Sequence, residues 1–409
     1  VIPYGRQEVT EADRAAVEAV LRSDWLTQGP MVPQFEEAVA RYCGVQHAVA
    51  VNSATSALHL ACLVLGLGPG DWLWTSPNSF VASANCARYC GARVDFVDID
   101  PETYNLSVPA LAARLEQAER LGRLPKIVVP VHFAGQPCAM PAIADLARRY
   151  GFRVIEDASH AIGATYAAPA PETGSWPVGC CVHSDLTVFS FHPVKIITTG
   201  EGGMVTTQDG ELAERLRRLR SHGITRDPRY MEGDVVRGEG LPGEVLQEPW
   251  YYQQIELGFN YRMTDIAAAL GLSQLQRLEA YLRRRMAIAG RYAVLLEGLP
   301  VQRPYQTPGN RSSLHLYPLQ LHDPALRLPV FLALRAAGIG VNVHYIPIHT
   351  QPDYTRLGFR PGDFPQAERY YQRALSIPLH VGLTDAQQDQ VVDALRQALE
   401  TCTGLSHPG

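Results

Sequence analysis

Ser190-Phe191-His192-Pro193-Val194-Lys195-Ile196-Ile197-Thr198-Thr199-Gly200-Glu201-Gly202-Gly203 is the stretch whose reading decides the fold. Leu186-Thr187-Val188-Phe189-Ser190-Phe191 is short, mostly apolar and rich in β-favouring residues, which predicts a strand. Pro193 and three glycines then break regular structure, and Gly203-Met204-Val205-Thr206-Thr207 predicts a second strand. Lys195 is thus expected on a loop just past a strand's carboxyl end, the edge where open α/β sheets take their ligands.

The basic residues sharpen that expectation. Of 36 lysines and arginines only Lys126 and Lys195 are lysine. A chain so biased has used arginine almost wherever positive charge sufficed. A guanidinium does not deprotonate to form a Schiff base, so an amine is what arginine cannot supply. Lys126 heads Ile127-Val128-Val129 and reads as incidental; Lys195, in a glycine-rich loop beside Ser190 and His192, reads as chemical.

Outward from this loop, helices and strands alternate. The patterns predict helices over 9–22, 34–42, 56–65, 80–89, 109–121 and 141–150, and strands over 48–51, 72–75, 94–97, 127–133 and 153–156. With the two strands beside Lys195 this makes seven, and such alternation predicts a mainly parallel sheet with helices on both faces. Gly66-Leu67-Gly68-Pro69-Gly70-Asp71 precedes a strand, so it is a turn and not a dinucleotide fingerprint. Periodicity fails from 221 to 256, a long polar loop. A long helix is expected over 264–285, and a smaller C-terminal α+β domain follows that includes Leu314-His315-Leu316-Tyr317 and Gly340-Val341-Asn342-Val343-His344-Tyr345. The division is placed at 1–274 and 275–409.

Composition narrows the function classes. A net charge of −5 gives no electrostatic reason to expect nucleic acid or an anionic membrane as partner. No apolar run is long enough to span a bilayer, and Val1-Ile2-Pro3-Tyr4-Gly5-Arg6 does not read as a signal peptide, so a cytoplasmic setting is expected. The eight cysteines are scattered without a C-x-x-C pair, which argues against a metal site or a disulfide framework.

Two further stretches fall at strand-to-helix junctions on the edge that carries Lys195. Asn52-Ser53-Ala54-Thr55-Ser56 opens a helix; its free N–H groups and hydroxyls suit a phosphate, or serve only as caps. Asp157 either caps a helix or holds a ring nitrogen protonated, which makes a pyridine ring an electron sink. Ser190 can reach the phosphate from the lysine side. His160 and His192 are either ordered structural hydrogen-bonders or catalytic groups, and His160 is placed with the cofactor-binding set. Phosphate cradle, pyridinium partner and Schiff-base lysine, in that order, describe a site for pyridoxal 5'-phosphate.

Asn52 to Leu58, Glu156-Asp157-Ala158-Ser159-His160-Ala161-Ile162-Gly163, Ser190 to Gly203 and Gly258-Phe259-Asn260-Tyr261-Arg262-Met263 together resemble the DegT/DnrJ/EryC1/StrS family of nucleotide-sugar aminotransferases over nearly the whole chain. Pro3 to Gln7, Leu26 to Pro30, Val343 to His349 and Gly358 to Pro365 look most like members of the pseudaminic acid pathway. Those members aminate C4 of a UDP-linked 4-keto-6-deoxy-N-acetyl sugar with L-glutamate.

The resemblance implies a fold-type I homodimer with active sites shared between subunits. It makes Lys195 the Schiff-base lysine, Asp157 the pyridinium partner and Phe80 a ring-stacking residue. It gives the phosphate to Ala54, Thr55 and Ser190, joined by Asn260 of the neighbouring subunit. Tyr4, Asp24, Trp25, Leu26, Thr27, Asn342, Val343, His344 and Tyr345 would line the sugar-nucleotide site. The chain departs from the family over 229–248, which looks expanded. Two rivals are weighed. Sugar 3-dehydratases of the same fold carry histidine at the Lys195 position, and a non-catalytic regulatory protein has no need of Lys195, Asp157 and Ser190 together.

Overall fold

Seven strands form the central sheet: β1 (His47–Val51), β2 (Trp72–Thr75), β3 (Arg93–Phe96), β4 (Ile127–Val129), β5 (Arg153–Asp157), β6 (Leu186–Ser190) and β7 (Gly203–Thr207). The computed structural model describes residues 1–167, 174–232 and 250–403, so most of the 229–248 stretch lies outside the described residues. The strand order is β1-β7-β6-β5-β4-β2-β3. β7 runs antiparallel to β1 and β6, and every other pairing is parallel. The carboxyl ends of β1, β5 and β6 therefore share one edge.

All seven predicted strands are present. The one expected over 127–133 stops at Val129, because Pro130 has no N–H with which to extend the ladder. Beyond it Val131 makes only an isolated bridge to Asp157.

Successive strand residues face opposite sides, and two buried clusters follow that alternation. Ala48, Ala50, Val154 and Met204 point into one cluster, with Phe35 and Val39 of α2 (Met31–Cys43). Val49, Val51, Ile155 and Val205 point into the other. Packed there are Leu58 and Leu60 of α3 (Ala54–Val64), Ala84 of α4 (Ala82–Tyr89) and Leu216 of the helix Gly210–Leu219. The sheet is thus covered on both faces, as the alternation predicts.

The helix expected over 264–285 is two helices, Asp265–Leu275 and Leu278–Leu295. The break has a tertiary cause. Arg277, at φ −103° and ψ 0°, sends Nη2 to both oxygens of Asp13, at 2.7 and 2.6 Å. Asp13 lies on the N-terminal helix Glu11–Leu21 and is fully buried. Burial pulls its carboxyl upward, but Arg277, the Thr10 N–H and Ser273 outweigh this and lower it to about 2.

A third buried cluster joins Ile288 and Tyr292 to an antiparallel sheet of Val301–Gln302, Tyr317–Leu321 and Ala374–Ile377. Of 314–317 only Tyr317 enters that sheet, and 340–345 is not a strand but carries one bridge, Asn342 to Ser376. The N-terminal segment is fastened to this part of the chain. Ile2 N–H bonds Gly338 O, Gly340 N–H bonds Ile2 O, and Leu379 N–H bonds Tyr4 O. Among the described residues no helix is long and apolar enough to cross a membrane.

Candidate active site

Val51 and Ser190 both pair with Gly203, so the ends of β1 and β6 converge on the first residue of β7. A side chain does not fit there: a Cβ on Gly203 would lie 2.6 Å from the Ser53 carbonyl and 2.7 Å from Ala54 N. Ser53 caps α3, its Oγ accepting the Ser56 N–H at 3.1 Å, and Ala57 N–H bonds Ser53 O. The Ala54 and Thr55 N–H groups are left without partners inside the helix, at its positive end, where an anion is stabilised.

The loop that carries Lys195 is pinned rather than loose. Phe191 N–H bonds Gly202 O at 2.9 Å, Thr199 N–H bonds Phe191 O at 3.0 Å and Lys195 N–H bonds His192 O at 2.9 Å. Thr198 Oγ1 also donates to Phe191 O. Burial lowers the Lys195 amine to about 8, against the opposing charge of Asp157. Near neutral pH a useful fraction is therefore the free amine, fit to act as nucleophile and base.

Asp157 closes β5 on the face packed by α3 and α4. Its Oδ2 accepts the Ser83 hydroxyl at 2.6 Å, and its Oδ1 accepts the Ser159 N–H at 3.1 Å. An ionised carboxylate offers about four lone-pair sites, so two remain free here. The cap-like bond to Ser159 and a ring-nitrogen role are thus compatible.

His160 Nδ1 accepts the Ala134 N–H at 3.2 Å, so its proton sits on Nε2 and is donated to Tyr345 Oη at 3.1 Å. Burial, with Lys195 nearby, holds the ring neutral. His344 is neutral as well, lowered to about 4 by burial and then by Lys195. Its Nδ1 is bonded to Ser376 Oγ at 2.8 Å. Burial, with Tyr4 and Asp157 near, raises the Tyr345 hydroxyl and keeps it protonated.

These groups line a single cavity of about 440 Å³. From the expected set it brings together Tyr4, Ala54, Thr55, Phe80, Asp157, His160, Ser190, Lys195, Asn342, Val343, His344 and Tyr345. It does not bring in Asp24, Trp25, Leu26, Thr27 or Asn260. Thr27 bridges Thr264, Leu26 O accepts the Asp265 N–H, and Trp25 and Leu26 are exposed. Asn260 bridges Ser221, and its carbonyl lies 3.5 Å from Asn52 Nδ2, at the root of the cradle.

Sequence reasoning missed Ser79, Ser83, Glu201 and His315, which also line the cavity. Ser79 lies just before α4 and Ser83 in its first turn, four residues apart, a signal too common to single out. A larger groove of about 930 Å³ passes Tyr305 and Arg311 but holds no lysine. Chemistry, not size, marks the site.

An amine lowered towards neutrality, a buried carboxylate with spare capacity and a helix N-terminus with two free N–H groups fit the aldehyde, ring nitrogen and phosphate of pyridoxal phosphate. The fold and this set define a pyridoxal-phosphate enzyme of the α/β class. The chain belongs to the DegT/DnrJ/EryC1/StrS aminotransferase family, whose model matches residues 7–396. It is a pyridoxal-phosphate-dependent nucleotide-sugar aminotransferase.

The chain is 39% identical to the spore coat polysaccharide biosynthesis protein SpsC of Bacillus subtilis, over 98% of this chain and 97% of that one. It is 38% identical to the GDP-perosamine synthase of Caulobacter vibrioides, over 95% of each chain. It is 37% identical to the UDP-4-amino-4,6-dideoxy-N-acetyl-beta-L-altrosamine transaminase of Campylobacter jejuni, over 98% of each chain. Among solved structures it is similar to PseC of Helicobacter pylori, an aminotransferase involved in pseudaminic acid biosynthesis, with TM-score 0.84, 29% identity, and 98% and 99% of the two chains covered. The pyridoxal-phosphate form of a sugar aminotransferase from Streptococcus pneumoniae gives the same TM-score, identity and coverage.

Proposed function

We propose that the chain transfers an amino group from L-glutamate to C4 of a UDP-linked 4-keto-6-deoxy-N-acetyl sugar, forming UDP-4-amino-4,6-dideoxy-N-acetyl-β-L-altrosamine for pseudaminic acid. The observation that carries this reading is the meeting of Tyr4 and the Asn342–Tyr345 segment over the cavity that holds Lys195. The likeness to the Campylobacter and Helicobacter enzymes supports it. When bound, the cofactor supplies an electron sink for a carbanion at the carbon that loses or gains a proton. Lys195 Nζ takes the proton from Cα of the donor and, in the return half-reaction, delivers one to C4 of the sugar. Asp157 keeps the ring nitrogen protonated, and the Ala54 and Thr55 N–H groups hold the phosphate. Tyr345 accepts from His160 and turns its own hydroxyl proton towards a sugar oxygen.

The enzyme works as a homodimer in which Asn260 and Asp24 to Thr27 serve the partner's cavity, a reading favoured by their absence from the cavity of their own chain. The division into large and small domains falls near residue 275, at the break between the helices Asp265–Leu275 and Leu278–Leu295.

A coupled assay with L-glutamate and a panel of UDP-, dTDP- and GDP-linked 4-keto-6-deoxy sugars tests the substrate. Preference for the UDP N-acetyl sugar is expected, and preference for a GDP sugar would favour a perosamine-type activity, as the Caulobacter relative allows. Co-expression of Lys195→Ala with Asn260→Ala tests the shared site, after Asn260→Ala alone is shown to be impaired. Mixed dimers then regain activity because one of their two sites carries neither lesion. No gain in verified mixed dimers rejects the sharing.

A further inference from the structure

Asp157 does not meet the cavity as a free carboxylate. Ser83 spends its only hydroxyl proton on Asp157 Oδ2, at 2.6 Å. Ser79, whose Oγ lies 2.7 Å from Ser83 Oγ, must then be the donor in that pair. Ser79, Ser83 and Asp157 are all buried, so each bond acts in a medium that strengthens it. Ser83 is itself fixed: its N–H bonds Phe80 O, and its carbonyl accepts the Cys86 thiol at 3.3 Å. The result is a one-way relay, Ser79 to Ser83 to Asp157, running from the turn before α4 to the end of β5.

We propose that Ser83, backed by Ser79, is a positioning residue that fixes which lone pairs of Asp157 face the cavity. The inference rests on the reading of Asp157 as partner of the cofactor's ring nitrogen. Two donors, the Ser83 hydroxyl and the Ser159 N–H, occupy one site on each oxygen and stop the carboxylate from rotating. They also disperse its charge. A carboxylate held with a free lone pair towards the cavity is oriented to bond the protonated ring nitrogen, where the electron sink needs its proton. Without Ser83 the carboxylate can turn, its bond to the ring nitrogen weakens and the ring becomes less positive. The nitrogen bonded to the ring's side arm then keeps its own proton to higher pH.

The test is a pH titration of the visible absorption of the bound cofactor, alongside steady-state kinetics. Ser83→Ala should move the titration midpoint upward by about half a unit to one unit. It should lower kcat by about tenfold and leave KM for glutamate within about twofold. Ser83→Thr, which keeps the hydroxyl, should restore both; Ser79→Ala should shift the midpoint the same way by less. Asp157→Asn should give the largest upward shift. An unchanged midpoint in Ser83→Ala, with Asp157→Asn strongly shifted, overturns the relay while leaving the role of Asp157 intact. A normal midpoint and turnover in Asp157→Asn overturns the reading of Asp157 itself. If Ser83→Ala does not fold, Ser79→Ala decides, and no shift there rejects the proposal.

Discussion

Glu156 and Asp157 are neighbours on β5, both buried, yet they face opposite sides of the sheet and differ in what they have left to give. Glu156 takes three donors. His132 Nε2 lies 2.8 Å from its Oε2, while Ser184 Oγ at 2.5 Å and Thr187 Oγ1 at 3.1 Å donate to its Oε1. Burial disfavours a charge on His132, whereas Cys138 and the Glu156 carboxylate favour one and on balance raise the ring's pKa. Nδ1 settles the state, because it accepts the Cys138 N–H at 3.0 Å and so carries no proton. Glu156 is thus an anion enclosed by neutral donors, and it does not line the cavity that holds Lys195. Asp157 has two donors, spare lone pairs and a cavity lined by an amine. Burial alone does not mark a catalytic carboxylate; unfilled capacity facing a space does.

The comparison breaks first if the cavity face works without its amine. Lys195→Arg keeps the charge and should reduce transamination to background, with no borohydride-fixed cofactor on the chain. Normal activity in that variant would remove the chemistry from this face. Next come the carboxylates. Asp157→Asn should fold normally and lose about 10²–10⁴-fold in turnover. Glu156→Gln should cost about 3 kcal/mol of stability, with turnover per bound cofactor within about twofold of wild type. Thermal melts and single-turnover rates on both variants check this, and the opposite pattern would reverse the assignment.

A third prediction concerns pH. Burial raises the Glu156 carboxyl, but its bonds from His132, Ser184 and Thr187 outweigh that and hold it below its ordinary 4.5. Its folded value is depressed, so its contribution to stability is complete above 4.5 and is lost as pH falls through the lower folded value. The gap in melting temperature between wild type and Glu156→Gln should therefore narrow on acidification below about pH 4.5. A gap that widens there would mean Glu156 is not the enclosed anion. The smallest effect is for Ser184→Ala, at about 1 kcal/mol in denaturant titration with unchanged turnover.

Much of the cavity face was legible in the sequence because its logic is local. Short β-favouring runs set the seven strands, glycines set the Lys195 loop, and a nearly lysine-free composition singled out the amine. What was hidden depends on distant partners. Gln276 and Arg277 are good helix formers, so nothing nearby announces the break that Asp13 imposes from 264 residues away. Ser83 gains its meaning only beside Asp157, 74 residues on, and His315 only where it packs 4.4 Å from His160. Gly340 to Tyr345 has the composition of a strand but spends its backbone on Ile2 and Ser376 rather than on a ladder.

The fastening of the N-terminal segment orders events in time. Ile2 and Tyr4 leave the ribosome before the sheet does, yet their partners at Gly338, Gly340 and Leu379 follow more than three hundred residues later. Closing so long a loop adds only a slowly growing entropic cost, but it cannot happen before those partners exist. The sheet, the cradle and Lys195 can assemble earlier, from residues 47 to 207. A nascent chain therefore carries a cavity with its lysine in place and one wall missing, and acquires the wall that Tyr4 completes only once residues 338–379 have emerged.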